Sequence, residues 1–177
     1  MKTMQGISVV EVVLALAIAA LLAGVAAPAA LSAFLAVRYA SVRAALGESV
    51  LVSNRLSAAS GGVAVLCPSD PRGHCRDGTD WSSGWLVYAD IDQDRSFGAH
   101  DILLQRQPPL AEGLRLVSTD GRRRIVFHPD GSSSGSNVTF SLCSRSGDRV
   151  ETLVLSNAGR FRIAPGSDEQ RRACRGR

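Results

Sequence analysis

Hydrophobic positions along the chain fall into three regimes. Residues 12–31 are twenty consecutive positions without a charged or polar side chain, enough to cross the hydrocarbon core of a bilayer as a helix. Beyond them Leu35, Tyr39, Val42, Leu46, Val50 and Leu56 recur mostly at three- or four-residue steps, with Arg38, Arg43, Glu48 and Arg55 between. That spacing predicts an amphipathic helix continuing the apolar one. From Ile7 to about residue 58 it would run roughly 78 Å at 1.5 Å per residue, with Gly24 and Pro28 as candidate bends. Ser60-Gly61-Gly62 ends it, and short strand-like runs divided by turn residues follow. Strands are predicted at 63–67, 85–90, 101–106, 114–118, 124–128, 138–142, 150–156 and 160–163. These are hairpin lengths, so an antiparallel β-domain should lie against the second half of the helix. Residues 130–136, Asp-Gly-Ser-Ser-Ser-Gly-Ser, read as a mobile loop.

Composition narrows the class. The chain has 177 residues, 45% apolar, 20% charged and 5% aromatic, enough for one domain plus a membrane segment but not for two full domains. The apolar run excludes a purely soluble globular protein. It is too long for the apolar core of a secretory signal peptide, about 7–15 residues, and Glu11 stands at its beginning. A carboxylate inside a membrane helix is costly and needs a partner.

The opening Met-Lys-Thr-Met-Gln-Gly6, followed by Ile7 and then by Glu11 as the fifth residue after Gly6, resembles the type IV pilin and pseudopilin class, and Pro28 matches its helix-kinking proline. Ile7 replaces the usual Phe. The resemblance implies cleavage by a prepilin peptidase after Gly6 and methylation of the new terminus at Ile7. Glu11 is then an assembly residue, paired in a low-dielectric filament core with the terminal amine of a neighbouring subunit. Further along, Leu66-Cys67-Pro68-Ser69 with Cys75, Asp80-Trp81 with Gly84-Trp85, Asp90 with Asp92, Phe127 with Pro129 and Gly131, Phe140 with Cys143, and Gly159-Arg160-Phe161-Arg162 resemble the GspH/FimT family across essentially the whole chain. The fold class expected is α+β, a pilin-like long N-terminal helix packed against an antiparallel β-sheet domain. The expected parts are a leader at 1–6, a transmembrane and filament-core helix at 7–36, an amphipathic half at 37–60, and a β-domain at 61–177 with a basic C-terminal region.

Four cysteines beyond the apolar run suggest two disulfides and an oxidising compartment. Three pairings are open. Cys67 and Cys75 close a short loop containing Pro68, Pro71 and Gly73, which suits a local bridge and leaves Cys143 for Cys174. Zinc is disfavoured, since no Cys-x-x-Cys occurs and His74, His100 and His128 keep no ligand spacing. Asp90, Asp92 and Asp94, with Asp101 at the twelfth place, partly imitate a calcium loop. The sixth place is Arg95 where such a loop needs Gly, and the flanks read as strands, so an acidic turn is expected and no metal or cofactor. No nucleophile elbow or phosphate loop organises the Ser, His and Asp residues, and an enzyme is not expected.

Charge is partitioned along the chain. Nineteen Arg and one Lys give a net +4, but residues 60–112 hold four Arg against eight acids and residues 122–177 hold eleven Arg against five acids, a swing from −4 to +6. An anion would dock on the second half. If 160–163 is a strand, Arg160 and Arg162 share one face about 7 Å apart while Phe161 turns into the core. Two guanidinium forks at that spacing reach neighbouring phosphates, and Gly159 permits the preceding turn. The segment matches the Gly-Arg-x-Arg motif of FimT-like proteins, which the resemblance associates with DNA binding in natural transformation. Carried over, Arg160 and Arg162 contact double-stranded DNA, joined by Arg171, Arg172, Arg175 and Arg177 if a Cys143–Cys174 bond holds the tail; the alternative is pairing of Arg160 and Arg162 with Asp148 or Glu151. The expectation is a minor pilin or pseudopilin with DNA, other pilins, prepilin peptidase and the inner membrane as partners. It would span the bacterial inner membrane once, with a periplasmic C-terminal domain. The alternative is a structural minor pseudopilin of a type II secretion system or type IV pilus that does not bind DNA.

Overall fold

In the computed structural model, residues 8–135, 137–144, 147 and 149–175 are described. The element order is one long helix, eight strands and a short helix: α1 (Val9–Ser60), β1 (Val63–Pro68), β2 (Trp85–Asp90), β3 (Ile102–Gln107), β4 (Leu114–Ser118), β5 (Ile125–Phe127), β6 (Val138–Ser144), β7 (Val150–Leu155), β8 (Phe161–Pro165) and α2 (Asp168–Arg175). The chain divides into two compact units, one ending at Ala40 and one comprising Ser41–Arg177.

In the first unit, α1 is long and apolar enough to cross a membrane. Its large side chains, Leu14, Leu16, Leu21, Leu22, Val25 and Leu31 among them, are exposed. Pro28 lies inside the helix. Glu11 is exposed in its first turn, and Gly6 and Ile7 lie outside the described residues.

In the second unit, the remainder of α1 is the spine on which two antiparallel four-stranded sheets pack, ordered β3-β2-β1-β5 and β4-β6-β7-β8. The buried helix face combines Val42, Leu46 and Val50 with Ser49, Ser53 and Ser57. Serine is small enough to let the strands approach, and each hydroxyl is satisfied. Ser53 donates to the Ser49 carbonyl at 2.7 Å, Ser57 to the Phe127 carbonyl at 3.1 Å, and Ser49 accepts the Trp85 indole N–H at 2.8 Å. Burial of these polar groups therefore carries little penalty. Gly61, at a φ of 67°, stops the helix, and its N–H bonds the Ser57 carbonyl at 3.0 Å.

Strand alternation sorts the side chains. In the first sheet Leu66 pairs with Val87 and with Ile125 on the face toward α1. Val65, Cys67, Leu86, Tyr88 and Val126 form an outer cluster, with Cys75 and Phe97 packed on it. The Cys67–Cys75 disulfide closes that cluster at one end. In the second sheet Leu116, Leu142, Phe140 and Leu153 lie in the core, and Trp81 meets Phe140 edge to face at 5.1 Å. The second disulfide, Cys143–Cys174, ties α2 to β6.

Two expectations need correction. The basic C-terminal segment, for which no helix was expected, is the helix α2. Ser167 caps it, its hydroxyl accepting the Gln170 N–H at 3.3 Å while the Gln170 side chain accepts the Ser167 N–H at 2.7 Å, a reciprocal capping box. The serine-rich stretch after Asp130 is a stitched loop. Ser133 is buried and pairs as an isolated bridge with Phe127, and Ser134 N–H bonds the Val126 carbonyl at 2.9 Å.

Candidate nucleic-acid interface

The residues predicted to meet an anion lie on the second sheet. β8 is its edge strand, paired only with β7, and its register sets Phe161 against Leu155, Arg162 against Val154 and Ile163 against Leu153. Phe161 therefore takes the face toward α1, where its ring packs over Gly47, 3.8 Å from where a Cβ there would stand, while Ile163 in register with Leu153 stays exposed. Arg162 takes the outer face. Arg160 stands opposite Ser156, whose N–H donates to the Arg160 carbonyl at 2.9 Å, so alternation puts Arg160 and Arg162 on the same outer face, about 7 Å apart.

The turn before them is built for a glycine. Asn157-Ala158-Gly159 is a three-residue hairpin loop in which the Gly159 N–H bonds the Ser156 carbonyl at 3.0 Å and Gly159 has a φ of 73°. A left-handed residue at the end of such a loop matches the strand twist. A Cβ at Gly159 would also stand 3.0 Å from the Gly131 carbonyl oxygen and 3.1 Å from the Asn54 amide nitrogen.

A buried arginine holds this corner together. Arg122, 5% exposed, donates to the Ser133 hydroxyl at 3.3 Å and to the Ser133 carbonyl at 3.1 Å. Ser133 in turn donates its N–H to the Asn157 carbonyl at 2.7 Å, and Asn137 accepts the Asn157 N–H at 3.1 Å. Burial alone pulls the Arg122 pKa down. The loop is thus fastened to the turn that presents Arg160, and Arg122 itself is not available to a ligand.

Electrostatics separates the free arginines from the committed ones. Glu151 is held by Arg43 at 2.7 Å and by Arg149 at 3.1 Å. Asp148, the other acid weighed as a partner, lies outside the described residues. Arg124 bonds Asp77 at 3.1 Å and the Arg95 carbonyl at 2.7 Å, and Arg171 pairs with Asp168 at 3.1 Å. Among the described residues the exposed guanidinium groups of Arg160, Arg162, Arg172 and Arg123 have no side-chain partner. The side chain of Arg175 and all of Arg177 lie outside the described residues.

The α2 arginines and the β8 pair are not adjacent. Gly166 and α2 follow the Pro165 end of β8, where Thr152 reaches Gln170 at 2.6 Å, whereas Arg160 sits at the other end, about 17 Å along the strand. A groove of about 420 Å³ between α2 and the sheet is lined by Thr139, Ser141, Gln170, Asp120 and Glu169. Its two carboxylates disfavour phosphate there.

The first sheet carries the opposite charge. In the β2–β3 loop, Asp90, Asp92, Asp94 and Asp101 bring carboxylate oxygens within 4.8 Å of one another. Asp90 is 3% exposed and accepts the Arg95 N–H at 3.2 Å. Burial, with repulsion from Asp101, Asp94 and Asp92, pushes its carboxyl above the usual range against that hydrogen bond. Arg95, at the place where a calcium loop needs Gly, takes the left-handed conformation itself, with a φ of 60°.

A sequence profile described as "Type II transport protein GspH" matches residues 48–159. The chain belongs to the GspH family. No curated protein matches its sequence. In solved structures this GspH-family chain is similar to the type IV minor pilin FimU of Pseudomonas aeruginosa, at a TM-score of 0.57 and 17% identity over 71% of this chain and 87% of that one. It is also similar to the minor pseudopilin EpsH of the Vibrio cholerae type 2 secretion system, at a TM-score of 0.51 and 12% identity over 70% of this chain and 94% of that one. These likenesses fix the pilin-like α+β fold. The profile match stops at Gly159, so Arg160, Arg162 and α2 lie past it.

Proposed function

We propose that this GspH-family chain is a membrane-anchored minor pilin or pseudopilin that binds double-stranded DNA at the cell surface for uptake in natural transformation. The observation that carries this reading is the pair Arg160 and Arg162, exposed on one face of an edge strand and without a side-chain partner among the described residues. Arg172, without a side-chain partner among the described residues, adds charge at the far end of the same strand, where Arg171 is paired with Asp168. No aromatic platform accompanies them, so contact is to the phosphate backbone, independent of sequence and sensitive to salt.

Anchoring follows from the apolar part of α1, as a single pass in the inner membrane with the β-domain in the periplasm. Prepilin peptidase cuts after Gly6, Ile7 becomes the methylated terminus, and Glu11 pairs with the terminal amine of a neighbouring subunit in the filament. The test is a gel shift of duplex DNA with the full chain in detergent. Arg160→Ala with Arg162→Ala is expected to abolish the shift while leaving the fold intact, and unchanged binding defeats the reading. A second reading, a structural pseudopilin that primes filament assembly, is favoured by the family's type II transport description. Deletion separates the two: lost transformation with surviving secretion and motility supports DNA capture, and the reverse supports the structural role.

A further inference from the structure

The β2–β3 loop carries a feature that DNA binding does not use. Asp90, Asp92, Asp94 and Asp101 occupy the first, third, fifth and twelfth places of a twelve-residue stretch, places at which a calcium loop supplies oxygen ligands. Their carboxylate oxygens converge to within 4.8 Å. Among the described residues no Lys or Arg side chain is ion-paired with any of the four, and the nearby Arg124 is committed to Asp77 and the Arg95 carbonyl.

A second observation lies beneath the loop and points to a ligand. Tyr88 is wholly buried, with its ring 5.3 Å from that of Phe97 in the loop. Its hydroxyl has no hydrogen-bond partner among the described residues. Two residues before Asp90 on β2, Tyr88 shares the outer face with it. A buried hydroxyl beneath the loop that carries the carboxylates, left unpaired, calls for a partner from outside the chain, such as a water in the shell of a cation.

We propose that Asp90, Asp92, Asp94 and Asp101 bind a calcium ion whose hydration shell the Tyr88 hydroxyl completes. Four carboxylates on one hairpin suit calcium, which takes six to eight oxygens in adaptable geometry. Magnesium prefers one or two carboxylates and keeps its waters. The ion relieves the mutual repulsion of the acids and pins the loop, through Phe97, over the outer cluster of Val65, Leu86 and Tyr88.

The test is calorimetric titration of the full chain in detergent, stripped with a chelator, with calcium chloride and separately with magnesium chloride. Expected is saturable binding of one calcium ion per chain, a raised unfolding temperature in calcium, and magnesium binding weaker by about tenfold or more. Asp92→Asn with Asp94→Asn, both exposed, weakens calcium binding by about tenfold or more. In chelator that variant unfolds no earlier than the parent, because two repelling charges are gone. Absence of saturable calcium binding, or a double variant that binds calcium as the parent does, overturns the proposal.

Discussion

Replacing Gly159 by alanine acts through two effects that a second substitution separates. The φ of 73° at Gly159 places a Cβ against the following carbonyl, at a cost of about 1–2 kcal/mol. The new Cβ would also stand 3.0 Å from the Gly131 carbonyl oxygen and 3.1 Å from the Asn54 amide nitrogen. One of these neighbours is backbone fastened through Ser133 to Arg122, so relief requires moving the stitched loop, and about 1 kcal/mol or more is added. Gly131 has nearly the same conformation, with a φ of 79°, but open space where its Cβ would go. Gly131→Ala therefore measures the conformational cost alone, and Gly159→Ala should exceed it by about 1 kcal/mol, for a total of about 2–3 kcal/mol. Urea unfolding followed by the buried Trp81 and Trp85 reads both. The turn presents Arg160, so Gly159→Ala should also weaken duplex DNA binding under conditions where the chain is fully folded. Equal destabilisation by the two variants refutes the close approach, and undiminished DNA binding by Gly159→Ala refutes the role of the turn.

Three further outcomes are expected. The slope of log affinity for duplex DNA against log salt should become shallower by about 1.8 on Arg160→Ala with Arg162→Ala, about 0.9 for each phosphate no longer neutralised; fluorescence anisotropy between low and physiological salt measures it, and an unchanged slope removes both residues from the interface. The Cys143–Cys174 bond spans 31 residues, for which chain entropy gives about 3–4 kcal/mol, against about 2.6 kcal/mol for the shorter Cys67–Cys75 loop; Cys143→Ser with Cys174→Ser should thus destabilise more than Cys67→Ser with Cys75→Ser, as read by urea midpoints. For Asp80, burial raises the carboxyl pKa, but the Ser82 hydroxyl and N–H with Arg76 and Arg115 outweigh it and leave the value lowered; its stabilisation is then present above the ordinary carboxylate pKa of about 3.9. That contribution is lost as pH falls through the lowered native value, so Asp80→Asn should flatten this part of the acid dependence of the urea midpoint.

The strands were legible because each is a short run whose burial follows its sequence pattern. Trp85–Asp90 and Leu114–Ser118 coincide with their predicted limits, and the other strands shift by a residue or two at their ends, where pairing partners decide. What escaped the sequence depends on groups far apart in the chain. The serine-rich loop is ordered by Arg122 and by the β7–β8 turn, neither of which a local reading connects to Ser133. The helical face at Ser49, Ser53 and Ser57 has the four-residue spacing of a buried stripe, but serine reads as solvent-facing until Trp85 and the Phe127 carbonyl are placed against it. The helix α2 did announce itself, since Ser167 and Gln170 stand at capping-box spacing. The signal is faint, since a helix held by a disulfide at Cys174 needs no apolar stripe to betray it. Arg160 and Arg162 were legible as a pair on one face. That Glu151 is not their partner was not, because it rests on Arg43, distant in sequence, having taken that carboxylate.

The segment charges of −4 and +6 resolve into two places on different sheets, and this bears on whether calcium and DNA act on one another. The four carboxylates sit on the β2–β3 loop of the first sheet, and Arg160 and Arg162 on the outer face of the second sheet's edge. The two charge sets belong to different sheets and are taken to lie more than a Debye length apart. The Debye length at physiological ionic strength is about 8 Å. Neutralising the loop with calcium should therefore leave DNA affinity nearly unchanged at physiological salt. Near 0.01 M salt, where screening extends to about 30 Å, removing two of the four negative charges should tighten DNA binding measurably. Anisotropy titrations with and without calcium at both salt concentrations read this directly. An equal calcium effect at both would mean that the ion acts by moving the chain and not through its charge, and the rigid separation of the two surfaces assumed here would fail.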